Sequence, residues 1–237
     1  MADAAHVQPE PDAPLARRHR VRLLAFALAA VAVAALLYVG QDFLATLDRL
    51  DVVERERDTW QRPDDILRAL ELRDGSVVAD LGCGSGYFAL KLSPAVGLRG
   101  RVLALDVRRL PLLFLRVRTW RRGLANVRVT RVRPDDPGLL VGGVDAALVL
   151  NTLHELENAP TVLAAVRRAL RPGGRVVVID RAPRAPGPEA PGDHELTAAE
   201  GEARLRAAAF DVIARDDAFV DRSGDPDVWW MIVARRP

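Results

Sequence analysis

The stretch Val77-Val78-Ala79-Asp80-Leu81-Gly82-Cys83-Gly84-Ser85-Gly86-Tyr87-Phe88 constrains the fold of this chain more than any other. A short apolar run ends in an acid. Three glycines then alternate with other residues, and helix-forming sequence follows. This order predicts strand, tight turn, helix. Glycines belong in such a turn because a side chain would block φ > 0 or hold a ligand away from the backbone. A nucleotide-like cofactor is the natural occupant, and glycine spacing discriminates between cofactors. The dinucleotide pattern is G-x-G-x-x-G, its third glycine letting helix and strand pack closely. Here the glycines fall at 82, 84 and 86, and Tyr87 stands where that pattern wants Gly or Ala.

Downstream segments extend the pattern. Arg101 to Asp106 reads as a second apolar strand ending in an acid, twenty residues past Gly86. In Rossmann-like sheets an acid there takes ribose hydroxyls, because a carboxylate can accept two hydrogen bonds at once. Asp145 to Asn151 reads as another buried strand, running into Thr152-Leu153-His154-Glu155-Leu156. Leu170-Arg171-Pro172-Gly173-Gly174 stops a helix, and Arg175 to Asp180 is the next strand. An Asp before G-x-G-x-G, followed by these segments in this order, resembles the class I S-adenosylmethionine-dependent methyltransferases. Trp60-Gln61-Arg62-Pro63 and Leu72-Arg73-Asp74-Gly75 resemble the entry segment of a bacterial subgroup whose glycine motif also ends in Gly-Tyr-Phe. The resemblance covers about residues 55 to 237.

It implies an α/β, Rossmann-like seven-stranded sheet in the order 3-2-1-4-5-7-6, the last strand antiparallel, with helices on both faces. The implied cofactor is S-adenosyl-L-methionine, and the implied reaction moves its methyl group to an oxygen, nitrogen or carbon acceptor. Asp80 would hold the cofactor's amino group, Gly82, Gly84 and Gly86 would allow close approach, and Asp106 would bind the ribose. Relatives end the third strand in a Gly-Asp pair whose acid meets the adenine amino group. Here those positions are Val132 and Arg133, so Asp135 is the nearest substitute, and it reads equally as a turn residue. Asn151, His154 and Glu155 should line the acceptor side, at the C-terminal ends of the strands. His154 either takes a proton from the acceptor or packs over the cofactor, with Glu155 orienting it or meeting a cationic acceptor. The proline- and glycine-rich segment Arg181 to Gly192 reads as a loop that, with His194, forms a lid. Thr197 to Glu200 forms a capping box for the last helix.

Composition bounds the alternatives. The chain has 237 residues, 49% of them hydrophobic, enough for one α/β domain and a short extension. A net charge of +2 implies no strongly charged partner. The lone Cys83 excludes an intrachain disulfide and reads as a packing residue inside the turn. The four histidines are scattered, so no metal is expected. Lys91 is the only lysine among 34 basic residues. The helix expected over 108–122 is accordingly arginine-rich. A solvent face explains those arginines better than nucleic-acid binding does, since few aromatics interleave with them. Two rivals to a methyltransferase remain: a non-catalytic S-adenosylmethionine-binding or scaffold protein of the same fold, and a dinucleotide-dependent oxidoreductase, which Tyr87 argues against. An aminopropyltransferase shares the fold, but nothing after Asn151 favours it.

The N-terminal region stands apart. Residues 1–22 read as a disordered tail with a basic end, and 23–40 as an uncharged run. Eighteen helical residues span ~27 Å, close to the ~30 Å of a hydrocarbon core. A single transmembrane helix is the favoured reading. A cleaved secretory signal ending near Ala30-Val31-Ala32 and a buried soluble helix are the alternatives, and Arg17-Arg18 only faintly suggests a twin-arginine signal. Residues 41–58 read as a juxtamembrane helix and stalk, and 59–237 as the catalytic domain. Arginines before the span favour exporting that domain. Its cofactor is cytosolic, which places the domain on the cytosolic face of a bacterial inner membrane, within reach of lipid-like acceptors. Oligomeric state is not legible.

Overall fold

The computed structural model of the protein describes residues 13–183 and 196–237. The expected lid beyond Pro183, with His194, lies outside the described residues. Two compact units are distinguished, one up to Leu50 and one from Asp51 to the C-terminus.

The first unit is helical. It belongs to α1, which runs Ala13–Asp58 without a break and carries its last eight residues into the second unit. The expected division at residue 40 is absent because Gly40 lies among good helix formers, and one glycine costs only ~1 kcal/mol in a helix. The helix is long and apolar enough to cross a membrane, with a mean hydropathy of 2.5 over its most apolar eighteen residues and none of that window buried.

The second unit is a seven-stranded sheet in the order β3-β2-β1-β4-β5-β7-β6. The strands are β1 Val77–Leu81, β2 Arg101–Asp106, β3 Val127–Arg131, β4 Val144–Leu150, β5 Leu170–Pro183, β6 Asp211–Asp221 and β7 Asp227–Arg235. Strands β1 to β5 pair in parallel, and β7 runs antiparallel to β5 and β6. The helices are α2 Pro63–Ala69, α3 Tyr87–Val96, α4 Arg109–Arg121, α5 Ala159–Ala169 and α6 Ala198–Ala207. Local chemistry sets their ends. Pro63 occupies the first turn of α2, where a missing N–H costs nothing. The Asn158 side chain caps α5, and Thr197 with Glu200 forms the capping box of α6. Pairing resumes early after α5: Leu170 already faces Val144, and the Arg171 to Gly174 turn is absorbed as a register shift before Arg175 meets Ala146.

Each face of the sheet buries its own apolar cluster. One joins α5 and α6 to the sheet through Leu163, Val166, Leu205 and Trp230. The other joins α2, α3 and α4 through Ile66, Phe88, Leu92 and Leu115. The central strands are covered on both sides and therefore read as apolar runs rather than alternations. Their carboxyl ends build the site.

Residues 51–58 belong to the second unit, and charged contacts hold them there. Arg118, expected on a solvent face, is 3% exposed and donates to Asp51 and Glu54. Tyr87 donates to Asp58 at 2.8 Å, and Lys91 pairs with the same carboxylate. The tail of α1 is thereby fastened to α3 and α4.

Candidate active site

Strand β1 ends in Asp80-Leu81 and β2 in Asp106, side by side in parallel register. The turn between β1 and α3 is closed by backbone bonds. The N–H groups of Gly82 and Cys83 both donate to the Leu105 carbonyl, at 2.8 and 3.1 Å, and Gly86 donates to the Cys83 carbonyl at 2.9 Å. All three glycines have positive φ. They are needed for different reasons. A Cβ on Gly82 would clash with the Thr152 hydroxyl, and one on Gly86 would clash with a Leu115 methyl. A Cβ on Gly84 would meet nothing within 4 Å. Its space faces the cavity, so the third role is room for a ligand.

Two cavities of about 210 Å³ each meet at Gly82, Arg108 and Glu155. One is mainly apolar and is walled by Leu105, Val132 and Pro137, with Asp106 at its floor. The other is polar and holds Asp80, Cys83, Gly84 and Asn151, with Arg57 from the end of α1.

The two strand-end acids differ in their partners. Asp106 Oδ2 accepts from the Gly84 N–H at 2.9 Å, and its Oδ1 accepts from the Arg108 N–H at 2.8 Å. Asp80 is equally buried, yet its Oδ2 has no hydrogen-bond partner among the described residues. Burial, then the nearby Asp106 charge, raise the Asp80 pKa to about 7, against the pull of the Ala89 N–H. Asn151, just past the end of β4, has φ +50°, and among the described residues its Oδ1 is likewise buried without a donor. Burial and the two nearby carboxylates push the Cys83 thiol far up, which fits a packing residue and not a nucleophile.

Of the residues expected from sequence, Asp80, Gly82, Gly84, Asp106, Asn151 and Glu155 all line these cavities. Gly86 stands behind them as the left-handed N-cap of α3. His154 does not reach either lining. It sits in a short 3-10 turn, Leu153–Glu155, with its ring 3% exposed and Nδ1 2.7 Å from Asp180 Oδ1. Asp180, fully buried at the end of the parallel core, also accepts from the His154 and Arg181 backbone N–H groups. Nε2 lies 3.8 Å from Glu155. Asp135 is not brought in either. Its side chain is exposed beside Arg133 at 3.5 Å, and Pro134 and Pro137 take the cavity edge instead. Sequence reasoning missed Arg57 and Asp180. The only signal for Asp180 was an acid ending an apolar strand, as Asp80 and Asp106 do.

These residues fit S-adenosylmethionine. The buried acceptors suit its amino group, Gly84 leaves space beside them, and the apolar cavity suits a purine.

Comparison with known proteins agrees. Residues 79–176 match the family model described as a methyltransferase domain. The chain is 26% identical over 142 residues to a demethylmenaquinone methyltransferase of Geobacillus kaustophilus, covering 60% of this chain and 61% of that protein. It is 33% identical over 118 residues to a 2-phytyl-1,4-naphtoquinone methyltransferase of Synechococcus elongatus, covering 46% and 47%. The chain thus spans about half the length of such curated relatives. Among solved structures, a SAM-dependent methyltransferase from Aquifex aeolicus superposes with a TM-score of 0.68 at 23% identity, covering 81% of this chain and 98% of that one. The cyclase SpnF superposes at 0.65 with 20% identity, covering 75% and 80%. At these identities the two structures speak to the fold alone.

Proposed function

We propose that this chain, which carries a methyltransferase domain of the class I S-adenosylmethionine-dependent type, moves a methyl group from that cofactor to a lipophilic small molecule, with a quinone-type ring as the favoured acceptor. The observation that carries the reading is the Asp80 oxygen, buried and without a donor, beside the open space at Gly84. The quinone methyltransferases among the relatives support the acceptor class.

Bound in the two cavities, the cofactor supplies an electrophilic methyl group carried on a sulfonium. The protein's own residues do the rest. Asp80 and Asn151 take the ammonium group. Asp106 keeps lone pairs for ribose hydroxyls while its backbone donors fix the carboxylate. Leu105, Val132 and Pro137 cover the adenine and exclude water. Glu155 stands where the two cavities meet and accepts the acceptor's proton. His154, tied to Asp180, is a positioning residue behind it. Alignment and desolvation supply most of the acceleration, as suits an in-line displacement.

Residues 23–40 act as a single membrane anchor, and the catalytic domain faces the cytosol, where the cofactor is made. The exposed apolar helix supports this placement, and it brings the site to a lipid-soluble acceptor. Protease treatment of sealed inverted vesicles should digest the domain, whereas protection there would reverse the orientation.

A second reading keeps the cofactor and drops the transfer. It is favoured by His154 facing Asp180 instead of the cavities. The full-length chain in nanodiscs, given methyl-labelled S-adenosylmethionine and demethylmenaquinone, separates the two. Label in the organic phase supports transfer. Cofactor binding without label from this quinone or from a bacterial lipid extract supports the second reading.

A further inference from the structure

The polar cavity contains a cation that the strand–turn–helix motif does not supply. Arg57, in the last turn of α1, lines it together with Asp80, Gly84 and Asn151. Two contacts fix the plane of its guanidinium. Nε donates to Gln61 Oε1 at 2.7 Å, and the group lies over the Tyr87 ring, 4.2 Å from its centroid. The two terminal nitrogens make no hydrogen bond among the described residues. Burial lowers its pKa, with Tyr87, Glu54 and Asp58 acting the other way, but a guanidinium stays charged throughout the working range.

In the same cavity, Asp80 Oδ2 and Asn151 Oδ1 are buried acceptors without donors. Arg108 also lines the cavity but is turned to Asp106. Two buried acceptors facing the Arg57 fork match a group that carries a cationic and an anionic substituent on one carbon. That is an α-amino-acid zwitterion. Bidentate guanidinium–carboxylate pairing is the strong, planar form of such recognition.

We propose that Arg57 binds the carboxylate of the cofactor's amino-acid portion, so that the tail of α1 is part of the cofactor site. The proposal rests on the S-adenosylmethionine reading above and assigns the carboxylate of that cofactor. The tail is built to hold this position. Arg118 joins Asp51 and Glu54 to the Ser85 carbonyl inside the glycine turn, at 2.8 Å for the carbonyl. Asp58 is held by Tyr87 and Lys91, the first residue and the second turn of α3. The helix tail and the turn therefore move as one piece.

The test titrates the full-length chain in detergent, wild type and variants, with S-adenosylhomocysteine and with 5′-methylthioadenosine, which lacks the amino-acid portion. Arg57→Gln should weaken S-adenosylhomocysteine by about ten-fold or more, the worth of a charge-assisted pair, and leave methylthioadenosine unchanged. Arg57→Lys should recover part of the loss. Methylthioadenosine binding also reports that each variant is folded. Unchanged S-adenosylhomocysteine affinity in Arg57→Gln, or equal losses for both ligands in both variants, overturns the proposal. A wild-type chain that binds neither ligand overturns the cofactor reading itself and this inference with it.

Discussion

Asp80 and Asp106 end neighbouring parallel strands and are each 3% exposed. The regions they head behave oppositely. Asp106 has both oxygens engaged by backbone N–H groups of the glycine turn and of Arg108, and it floors an apolar cavity. Asp80 keeps an oxygen without a donor, has its pKa raised to about 7, and belongs to a polar cavity. The first acid is already part of the fold. The second carries an unfavourable charge that a cationic ligand group would relieve. Identical sequence context, an acid at a strand end, thus yields one acid braced by backbone donors and one with an open oxygen, and only the partners tell them apart.

Substitution should expose that difference, most strongly at Asp80. Asp80→Asn should weaken S-adenosylhomocysteine about 100-fold, the upper range for a hydrogen-bonded charge. The same variant should melt higher than wild type at pH 8 without ligand, by a few degrees, roughly what one or two kcal/mol gives a domain of this size. A lower melting temperature would make Asp80 a structural brace like Asp106. Asp106→Ala should show the reverse balance: affinity falls about ten-fold, and melting falls too, because Gly84 and Arg108 lose their acceptor. Asp106→Asn, which retains one carbonyl oxygen, should fall between. Equal thermal stability in wild type and Asp106→Ala would remove the brace assignment.

The pH dependence sharpens the comparison. The folded-state pKa of Asp80 lies above its unfolded value near 3.8. Its contribution to the ligand-free fold is therefore present below about pH 4 and is lost as pH rises toward 7. Binding runs the other way. The cofactor's ammonium wants the carboxylate, so affinity should fall on acidification below about pH 7, by up to about ten-fold per pH unit. Titration calorimetry at pH 6 and pH 8 reads this, and Asp80→Asn should abolish it. An affinity independent of pH in wild type would place the ammonium elsewhere. The smallest effect is expected at Asp135, exposed beside Arg133. Asp135→Ala should leave cofactor affinity unchanged in the same titration, and a loss would return that acid to the adenine site.

The legible parts of the sequence were those set by local rules. Glycine spacing after an apolar strand placed the turn, because only that spacing supplies positive φ at 82, 84 and 86. The Thr197 helix start followed from capping chemistry. The parts that escaped depend on partners distant in sequence. His154 turns inward because Asp180 on β5 lies beside it, a pairing no local pattern encodes. The buried Arg118 was read as one more solvent arginine because its partners, Asp51 and Glu54, lie in a segment that resembles a charged stalk. Arg57 escaped for the same reason. Charges on a helix look alike until the sheet shows which of them it covers.

The cofactor class is tested most directly by titrating the full-length chain in detergent with S-adenosylhomocysteine and, in parallel, with NAD. S-adenosylhomocysteine should bind in the micromolar range and NAD should not bind. Binding of NAD, or of neither, would contradict that class, because the glycine turn, the Asp80 oxygen and the apolar cavity would then serve some other ligand.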